Sequence, residues 1–338
     1  VAYVPSDTYT GDLKWETTSQ FNVGVDLSLF NNRLRMTADY YRKKTTDLLN
    51  NVEMPRSSGY TTALRNIGSI RNSGFELQLD GRIIDRAVKW DLGVNFSLNR
   101  SKVLVLSEDK DIFGGELDNT ILKDQLNLMR VGEPMYVFYG YVEDGYDENG
   151  HIVYKNMDDD PAITAADKTI IGDPNPDFLV NLTTAVSYKG FTLSAFFQSS
   201  IGNDIYSLSM AAQAYDYGYN GNTLREVYYN HWTPENPTAK YPNLDQTSYK
   251  MSDRFVYDGS FVRLKNLELA YDVPCARSKF IKRARVYVSA QNLFTITSYP
   301  FWDPDINANG GGSSMIQGVD SYCYPSARTY TIGCRLTF

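Results

Sequence analysis

The sequence has few of the features that mark a zinc protein, a nucleic-acid binder or a helical membrane protein. Its 338 residues include three cysteines and two histidines, and the spacing of Cys275, Cys323 and Cys334 fits neither a metal motif nor an even set of disulfides. The formal net charge is −7 and Lys and Arg do not cluster, so no nucleic-acid partner is expected. No stretch approaches the ~18 consecutive apolar residues of a membrane helix.

Candidate catalytic groups are also scarce. His151 follows Gly150 in an acidic segment and His231 precedes Trp232, and neither lies beside a Ser or Cys nucleophile motif. Carboxylates are abundant, but in loop-like segments they are more often solvated than poised for glycoside hydrolysis. The sequence therefore predicts that the protein is not an enzyme and has no catalytic residues.

What the sequence does contain is alternation of apolar and polar residues with period two, which is typical of β-strands that have one apolar and one polar face. Nine segments show this alternation: 21–29, 33–40, 75–80, 90–99, 178–188, 191–198, 261–271, 285–291 and 330–338. In the seventh segment the apolar parity changes between Leu264 and Leu267. This change predicts a β-bulge at Lys265 or Asn266.

Charged residues of these segments fall on the polar parity. They are Asp26, Arg33, Arg35, Asp39, Glu76, Asp80, Asp91, Arg285 and Arg335. This placement is expected if the apolar face contacts outer-membrane lipid and the polar face lines a wet lumen. The solvated face of a soluble β-sandwich would tolerate the same pattern, so the placement alone leaves both architectures open.

The connections between segments alternate between short and long, which favours a barrel. Long loops are expected at about 48–71, 103–177, 201–256 and 297–328. Bacterial barrels have short periplasmic turns and long extracellular loops, whereas four such loops at one end of a sandwich would be unusual. We therefore predict an all-β, antiparallel transmembrane β-barrel over 1–338. Because single-chain barrels have even strand numbers and the sequence starts at Val1 without a signal peptide, we expect further strands before it.

Several segments, in this order, resemble the SusC/RagA-type TonB-dependent transporters of Bacteroidetes outer membranes. They are Leu13 to Thr18, Arg65 to Gly68, Asn72 to Leu77, Val131 to Pro134, Phe138 to Tyr141, Ile171 to Phe178, Gly259 to Leu267, Val286 to Phe294, Asp303 to Asp305 and the terminal Phe338. The resemblance covers nearly the whole chain.

The resemblance implies an integral protein of the cell outer membrane with a barrel of about 22 strands, of which this chain would supply the C-terminal nine or so. It also implies an N-terminal plug and a TonB box, neither of which is present in this chain, and a SusD-like surface lipoprotein as a lid. The implied function is TonB-dependent import of an oligosaccharide or oligopeptide by a dimer of transporter-lid pairs. The alternative is a soluble or surface-exposed β-domain that binds glycans without transport.

The acidic segment 156–167 resembles a calcium loop. Oxygen-bearing residues stand at positions one, three, five and twelve of a twelve-residue turn: Asn156, Asp158, Asp160 and Asp167. The segment departs from the pattern at Pro161, which cannot adopt the positive φ of the usual Gly. A Ca²⁺ ion is therefore one expectation here, and a solvated acidic loop is the other; no further cofactor is expected.

Aromatic residues are dense in the third long loop. They include Tyr215, Tyr217, Tyr219, Tyr228, Tyr229, Trp232 and Tyr241, and Phe301 and Trp302 follow in the last loop. Aromatic faces stack on sugar rings and form interface hot spots, so contact with the cargo or the lid is one interpretation and internal packing is the other. The terminal Phe338 has a separate role, because the resemblance implies that it takes part in barrel assembly.

Overall fold

One nine-stranded antiparallel sheet dominates the computed structural model, which describes residues 13–53, 62–106, 110–118, 122–215, 222–275, 280–306 and 316–338. Its strands are β1 (Thr17–Leu29), β2 (Leu34–Glu53), β3 (Thr62–Asp85), β4 (Val88–Leu106), β5 (Phe178–Tyr188), β6 (Phe191–Ile201), β7 (Phe261–Val273), β8 (Arg283–Thr297) and β9 (Thr329–Thr337). They pair in chain order, each antiparallel to the next. The nine strands predicted from the alternation are confirmed, and their order is that of an up-and-down barrel wall.

An apolar band crosses one face of the sheet. The strand register places Val25 beside Ala38, then Leu77, Phe96 and Val180 on successive strands. Side chains of this face remain accessible rather than buried. This is expected of a surface whose natural contact is lipid.

A polar band lies on the opposite face of the sheet. It is formed by the residues next to those of the apolar band along each strand. It consists of Asp26, Thr37, Gln78, Asn95, Asn181 and Gln198 on β1 to β6. Because successive side chains of a strand point to opposite faces, the charged strand residues on the same parity share this face. The predicted separation of charged and apolar residues is therefore present in the structure.

Short turns join the strands at one end of the sheet. Lys189 and Gly190 connect β5 to β6 with φ angles of 45° and 85°, and two positive φ angles match the right-handed twist of a tight hairpin. In β7 the register shifts between Leu264 and Asn266 against β8, so the predicted bulge is confirmed at Lys265. The bulge restores the apolar residues that follow to the apolar face.

The first long loop is shorter than its expected range of 48–71. β2 and β3 continue to pair through Leu48↔Gly68, Leu49↔Asn66 and on to Glu53↔Thr62, so both flanks of that range are strand. Register shifts on either side of Leu48 break the alternation there, which is why the sequence pattern stops too early. Likewise β4 extends to Leu106, past the expected start of the second loop at 103.

The longer loops contain their own secondary structure. Short strands occur at Ile112–Phe113, Glu116–Asp118, Lys123–Gln125, Asn127–Met129, Val137–Gly140, Glu143–Tyr146, Ile152–Tyr154, Thr169–Gly172, Asp204–Ser207, Val256–Asp258 and Val319–Asp320. Two α-helices, α1 (Leu208–Tyr215) and α2 (Arg225–Tyr229), and two 3-10 turns, Ala165–Asp167 and Asp253–Phe255, complete the described elements. No helix among the described residues is long and apolar enough to cross a membrane.

The second, third and last long loops share one hydrophobic core, here called the loop core. Its buried members are Leu117, Leu122, Leu126, Phe138, Tyr141, Ile152, Tyr154, Tyr206, Leu208, Met210, Ala211, Ala214, Tyr215, Val227, Tyr241, Met251, Phe255 and Val319. The strand Asp204–Ser207 pairs with Val256–Asp258 and, in parallel, with Val319–Asp320 of the last loop. The three loops therefore form one packed assembly at the end of the sheet opposite the short turns.

Candidate functional site

Two of the predicted loop aromatics belong to the loop core. Tyr215 is 4% exposed and Tyr241 is 2% exposed. The Tyr215 ring stacks on Tyr249 with 3.7 Å between centroids and meets Phe255 edge-on at 5.1 Å. Burial raises the pKa of the Tyr215 hydroxyl well above its ordinary value. These contacts show internal packing, which was one of the two interpretations left open by the sequence.

The tyrosines of α2 have the opposite environment. Tyr228 is 60% exposed and Tyr229 is 65% exposed, and their rings meet edge-to-face at 5.2 Å. The guanidinium of Arg225 lies 5.5 Å from the Tyr229 ring centroid. Within α2 only Val227 is buried, and Glu226 pairs with Lys240 at 2.7 Å, so these two side chains hold the helix while its aromatic rings face solvent. Tyr217 and Tyr219 lie outside the described residues.

Trp232 has a structural role between two loops. Its ring packs so closely on Gly150 that a Cβ atom there would come within 2.2 Å of it, and Gly150 has a φ of +79°, which favours glycine. The backbone N–H of Asn243 donates to the Gly150 carbonyl at 2.9 Å. His151 Nε2 lies 2.9 Å from a carboxylate oxygen of Asp245. Trp232 and its neighbours thus fix the hairpin between Glu143 and Tyr154 against the third loop.

Phe301 and Trp302 form a stacked aromatic pair in the last loop, in which Phe301 is half-buried against the loop core and Trp302 is exposed. Their rings are nearly parallel, at 14°, with 4.8 Å between centroids, and Trp302 is 57% exposed. The next residue, Asp303, is 5% exposed. Trp302 therefore presents an apolar ring to solvent, while Phe301 and the buried Asp303 on either side of it hold the segment in place.

Asp303 is anchored by an ionic network around Arg263 of β7, the largest fully buried side chain among the described residues. Its guanidinium forms a salt bridge with Asp303, and it also contacts Asp305 at 3.4 Å. The network joins the last loop to the inner face of the barrel wall.

Two more polar groups complete the network. Thr295 accepts from Arg263 Nε at 2.9 Å, and Ser326 Oγ lies 3.2 Å from Nη1. Burial alone would raise the pKa of Asp303, but hydrogen bonds from the backbone N–H groups of Ser326 and Asp305, together with Arg263, outweigh burial and lower it. The Asp303 carboxylate is therefore held in its charged form.

A second buried pair joins the second and third loops. Arg254 Nε donates to a Glu143 carboxylate oxygen at 2.7 Å, and the Ser252 hydroxyl donates to the same carboxylate at 2.6 Å. Arg254 also reaches the Tyr146 hydroxyl at 3.1 Å. Both charges are largely removed from solvent, so each depends on the other for compensation.

The acidic segment is organised by its own backbone. The buried Asp167 carboxylate accepts hydrogen bonds from the backbone N–H groups of Met157 and Thr164, both at 2.7 Å, and these bonds lower its pKa.

The other three candidate ligands bond to the backbone of the segment itself. The side chains of Asn156, Asp158 and Asp160 are exposed, and each accepts from a backbone N–H two residues further on. Among the described residues no group of three or more His, Cys, Asp or Glu is arranged to hold a metal ion. The three carboxylates of the expected Ca²⁺ loop do not form such a group, and a bound Ca²⁺ ion stays a prediction. The Thr164-x-x-Asp167 spacing is a capping-box signature. It could have indicated from the sequence that Asp167 caps the 3-10 turn Ala165–Asp167.

The three cysteines lie far apart in the topology. Cys275 follows β7 at the short-turn end, Cys323 lies in the last long loop, and Cys334 is an exposed residue of β9. None of them forms a disulfide. Phe338, the last residue, is 71% exposed just beyond β9; its role in assembly stays a prediction.

Comparison with known proteins identifies the architecture. Residues 2–293 match the family described as TonB dependent receptor-like, beta-barrel. The chain belongs to this family. It is part of the barrel of a SusC/RagA-type TonB-dependent receptor, an integral protein of the outer membrane, so the soluble alternative is set aside.

Individual relatives support the assignment. TonB-dependent receptor P3 of Formosa agariphila is 34% identical over 99% of this chain and 35% of its own length. TonB-dependent receptor SusC of Bacteroides thetaiotaomicron is 29% identical over 98% of this chain and 33% of its own length. The chain therefore spans about a third of the length of these relatives.

Solved structures of the RagAB peptide importer show the same fold. The closed-closed state has a TM-score of 0.83 and the open-open state a TM-score of 0.81, each at 29% identity over 98% of this chain and 36% of that chain. Because the match covers 98% of the chain, it includes the loop assembly as well as the sheet. The family consists of receptors and transporters.

Proposed function

We propose that this receptor imports an oligosaccharide or oligopeptide across the outer membrane, together with a SusD-like surface lipoprotein that covers its loops. Import would be powered by TonB, acting through parts of the protein beyond this chain. Outer-membrane lipid would surround the apolar band of the sheet. Two transporter-lid pairs would form the working assembly.

The observation that carries this proposal is the similarity to the RagAB peptide importer over nearly the whole chain, at a TM-score of 0.81 or above. The loop assembly adds a physical reason. The long loops all leave the sheet at the end opposite the short turns, and short turns are periplasmic in bacterial barrels. We therefore assign the loop assembly, with its exposed aromatic residues, to the extracellular side, where cargo and lid would arrive.

The exposed aromatics are the best candidates for that contact. Tyr228, Tyr229 and Trp302 present more than half of their surface to solvent, and aromatic side chains are enriched among interface hot spots. Tyr215 and Tyr241 are unavailable because the loop core buries them. Fewer aromatic residues are thus candidates for contact with the cargo or the lid than the sequence predicts.

The test is uptake by cells that carry Tyr228→Ser and Tyr229→Ser together in the full-length receptor. We expect normal abundance in the outer membrane but uptake of fluorescently labelled oligomer reduced by about 30-fold or more, since losing two hot-spot side chains at roughly 1 to 2 kcal/mol each costs about 2 to 4 kcal/mol. Tyr188→Ser is the matched control, because Tyr188 is an exposed tyrosine at the short-turn end. Unchanged uptake in the double variant would contradict a cargo or lid role for α2. Undiminished uptake after deletion of the lipoprotein would contradict the lid.

A further inference from the structure

The apolar face of the sheet ends in basic side chains at the loop end of β2, β3 and β4. On β4 every second residue is apolar from Trp90 to Leu98, and the next two residues of the same parity are Arg100 and Lys102. The outward faces of β2 and β3 likewise become basic beyond their apolar residues. Four of these basic residues are here called the basic patch: Arg42, Lys44, Arg71 and Lys102.

The strand register brings the basic patch together. Lys44 is directly opposite Arg71, and Arg71 is directly opposite Lys102 on its other side. Arg42 precedes Lys44 by two residues and therefore shares its face. Residues opposite each other in an antiparallel sheet have Cβ atoms roughly 4.5 to 5.5 Å apart. Lys44, Arg71 and Lys102 therefore form a continuous row of cations across three strands.

The charges of the basic patch have no compensation from the described residues. Within the described ranges, none of the four side chains forms a salt bridge or a hydrogen bond, and all except the half-buried Arg71 are exposed. The neighbouring Arg100 differs, because it forms a salt bridge with Asp177 at 2.7 Å. Like charges directly opposite each other destabilise a sheet, so the row is unfavourable unless an anion lies over it.

The position of the basic patch along the strands matches the membrane boundary. From Trp90 to Leu98 the apolar run of β4 extends about 27 Å along the strand at ~3.4 Å per residue. A strand tilt of about 40° reduces this length to a height of about 21 Å, close to the ~25 Å apolar band of bacterial barrels. Lys102 lies beyond Leu98, so it is at the level of the lipid head groups and not in the hydrocarbon.

The basic patch is confined to one part of the wall. The last outward residues of β6, β7 and β8 at the loop end are Ile201, Val262 and Ile296, all of them uncharged. Ile296 is 66% exposed. A basic collar around the whole membrane boundary would include these positions. The concentration of cations on β2, β3 and β4 therefore indicates a local binding site for an anion.

The chemistry and location of the basic patch narrow the ligand to a lipid. Guanidinium groups bind phosphate through paired N–H donors, and Lys binds it as a compact point charge. The patch lies on the apolar face of the sheet, opposite the polar band, so a solute in the lumen does not reach it. Basic side chains beside a membrane attract anionic lipid head groups.

We propose that the basic patch binds the phosphate group of an anionic lipid in the outer leaflet of the membrane. The phosphate lies over Lys44, Arg71 and Lys102, and the acyl chains lie along the apolar band beside Tyr40 and Phe75, which are opposite each other and exposed. The bound phosphate removes the repulsion within the row. The inference goes beyond import and rests only on the proposed orientation, in which the loop end is extracellular.

The experiment is a lipid titration of the purified full-length receptor in dodecyl maltoside, followed by native mass spectrometry. The probes are monophosphoryl lipid A and dephosphorylated lipid A, with inorganic phosphate as a competitor. We expect Lys44→Gln with Arg71→Gln to weaken binding of monophosphoryl lipid A about 25-fold, since each basic side chain near an anionic membrane surface contributes roughly fivefold. The matched control is Lys43→Gln with Arg35→Gln, which removes two exposed charges from the polar face of β2 and should leave binding unchanged.

Thermal unfolding separates lipid binding from a structural role of the basic patch. In detergent without lipid, the midpoint of the Lys44→Gln, Arg71→Gln variant should equal or exceed that of the wild-type receptor, because the substitutions relieve repulsion. Monophosphoryl lipid A should raise the midpoint of the wild-type receptor and of the control, because a ligand stabilises the state that binds it. It should raise the midpoint of the patch variant much less.

Four results would overturn the inference. They are equal binding of phosphorylated and dephosphorylated lipid A, equal weakening by the patch variant and the control, displacement of the lipid by inorganic phosphate at the same concentration, and a lower unfolding midpoint of the patch variant without lipid. Lys102→Gln provides a smaller change if the double variant does not reach the outer membrane. Failure of the import proposal is distinguishable, because uptake of labelled oligomer is measured separately in cells.

Discussion

The sheet and the loop core place their apolar residues in opposite directions. On the sheet, Ile332 of β9 is 85% exposed and Phe21 of β1 is 60% exposed, while the polar band faces the lumen side. In the loop core, Leu126 and Phe138 are completely buried among other apolar side chains. The same residue types thus mark an outer surface in one region and an interior in the other.

This difference in the burial of apolar side chains arises because the sheet is surrounded by lipid and the loops by water. The sheet satisfies its backbone hydrogen bonds between strands and can therefore expose its side chains to lipid. In the proposed orientation the loops lie beyond the membrane, where water drives apolar side chains together. A receptor of this kind needs both regions, because the wall must tolerate lipid while the loops must hold a defined shape above the lumen.

The largest expected effect is at the ionic anchor between the two regions. Arg263→Ala leaves the Asp303 carboxylate buried without its cation, so we expect about 3 to 5 kcal/mol of destabilisation of the last loop. Limited proteolysis of the purified full-length receptor should show faster cleavage in 298–328. Arg225→Ala, an exposed arginine of α2, is the control and should change little. Equal cleavage in both variants would show that the anchor does not hold the loop.

A second prediction separates core from surface within the loop assembly. Tyr215→Ala should destabilise the assembly by about 3 kcal/mol, because it leaves a cavity in the loop core. Tyr229→Ala should change the free energy of unfolding by less than about 0.5 kcal/mol, because the side chain is exposed. Thermal unfolding followed by tryptophan fluorescence measures both. Similar values for the two variants would remove the distinction between packed and exposed aromatics.

A third prediction compares the two faces of the sheet. Val94→Arg should cost ~2 to 4 kcal/mol if Val94 lies near the bilayer midplane, and Ile332→Arg should behave alike, because each places a charge in lipid. Asn95→Arg should be milder, since Asn95 belongs to the polar band. Unfolding in urea after reconstitution into lipid vesicles provides the comparison. A penalty of equal size at Val94 and Asn95 would overturn the assignment of faces.

Much of the sheet could be predicted from the sequence because period-two alternation is a local signal. It predicted nine strands and a bulge at Lys265 or Asn266, which the structure places at Lys265. It failed around Leu48, where bulges shift the register, and β2 and β3 extend further than the alternation does. A bulge shifts the parity of the residues that follow it. A strand can therefore be predicted across a bulge only if the alternation on both sides is long enough to reveal the shift.

The loop core was not predictable in the same way, because its contacts join residues distant in sequence. Tyr215 follows the small and apolar residues of α1, which is a signal for burial, whereas Tyr228 and Tyr229 are adjacent on a short helix and cannot both share one buried face. The role of Arg263 had no local signal: only the fold brings Asp303 to it.

The measurement that tests the account most directly is cysteine labelling in whole cells that lack the lipoprotein lid. Cys275, Cys323 and Cys334 are first replaced with serine, and single cysteines are then placed at Tyr229, Asn32 and Val94. With a membrane-impermeant maleimide, we expect labelling at position 229 in intact cells, at position 32 only after the outer membrane is disrupted, and at position 94 only after denaturation. Labelling of position 32 but not position 229 in intact cells would invert the topology, and labelling of position 94 in intact membranes would contradict a lipid-facing apolar band.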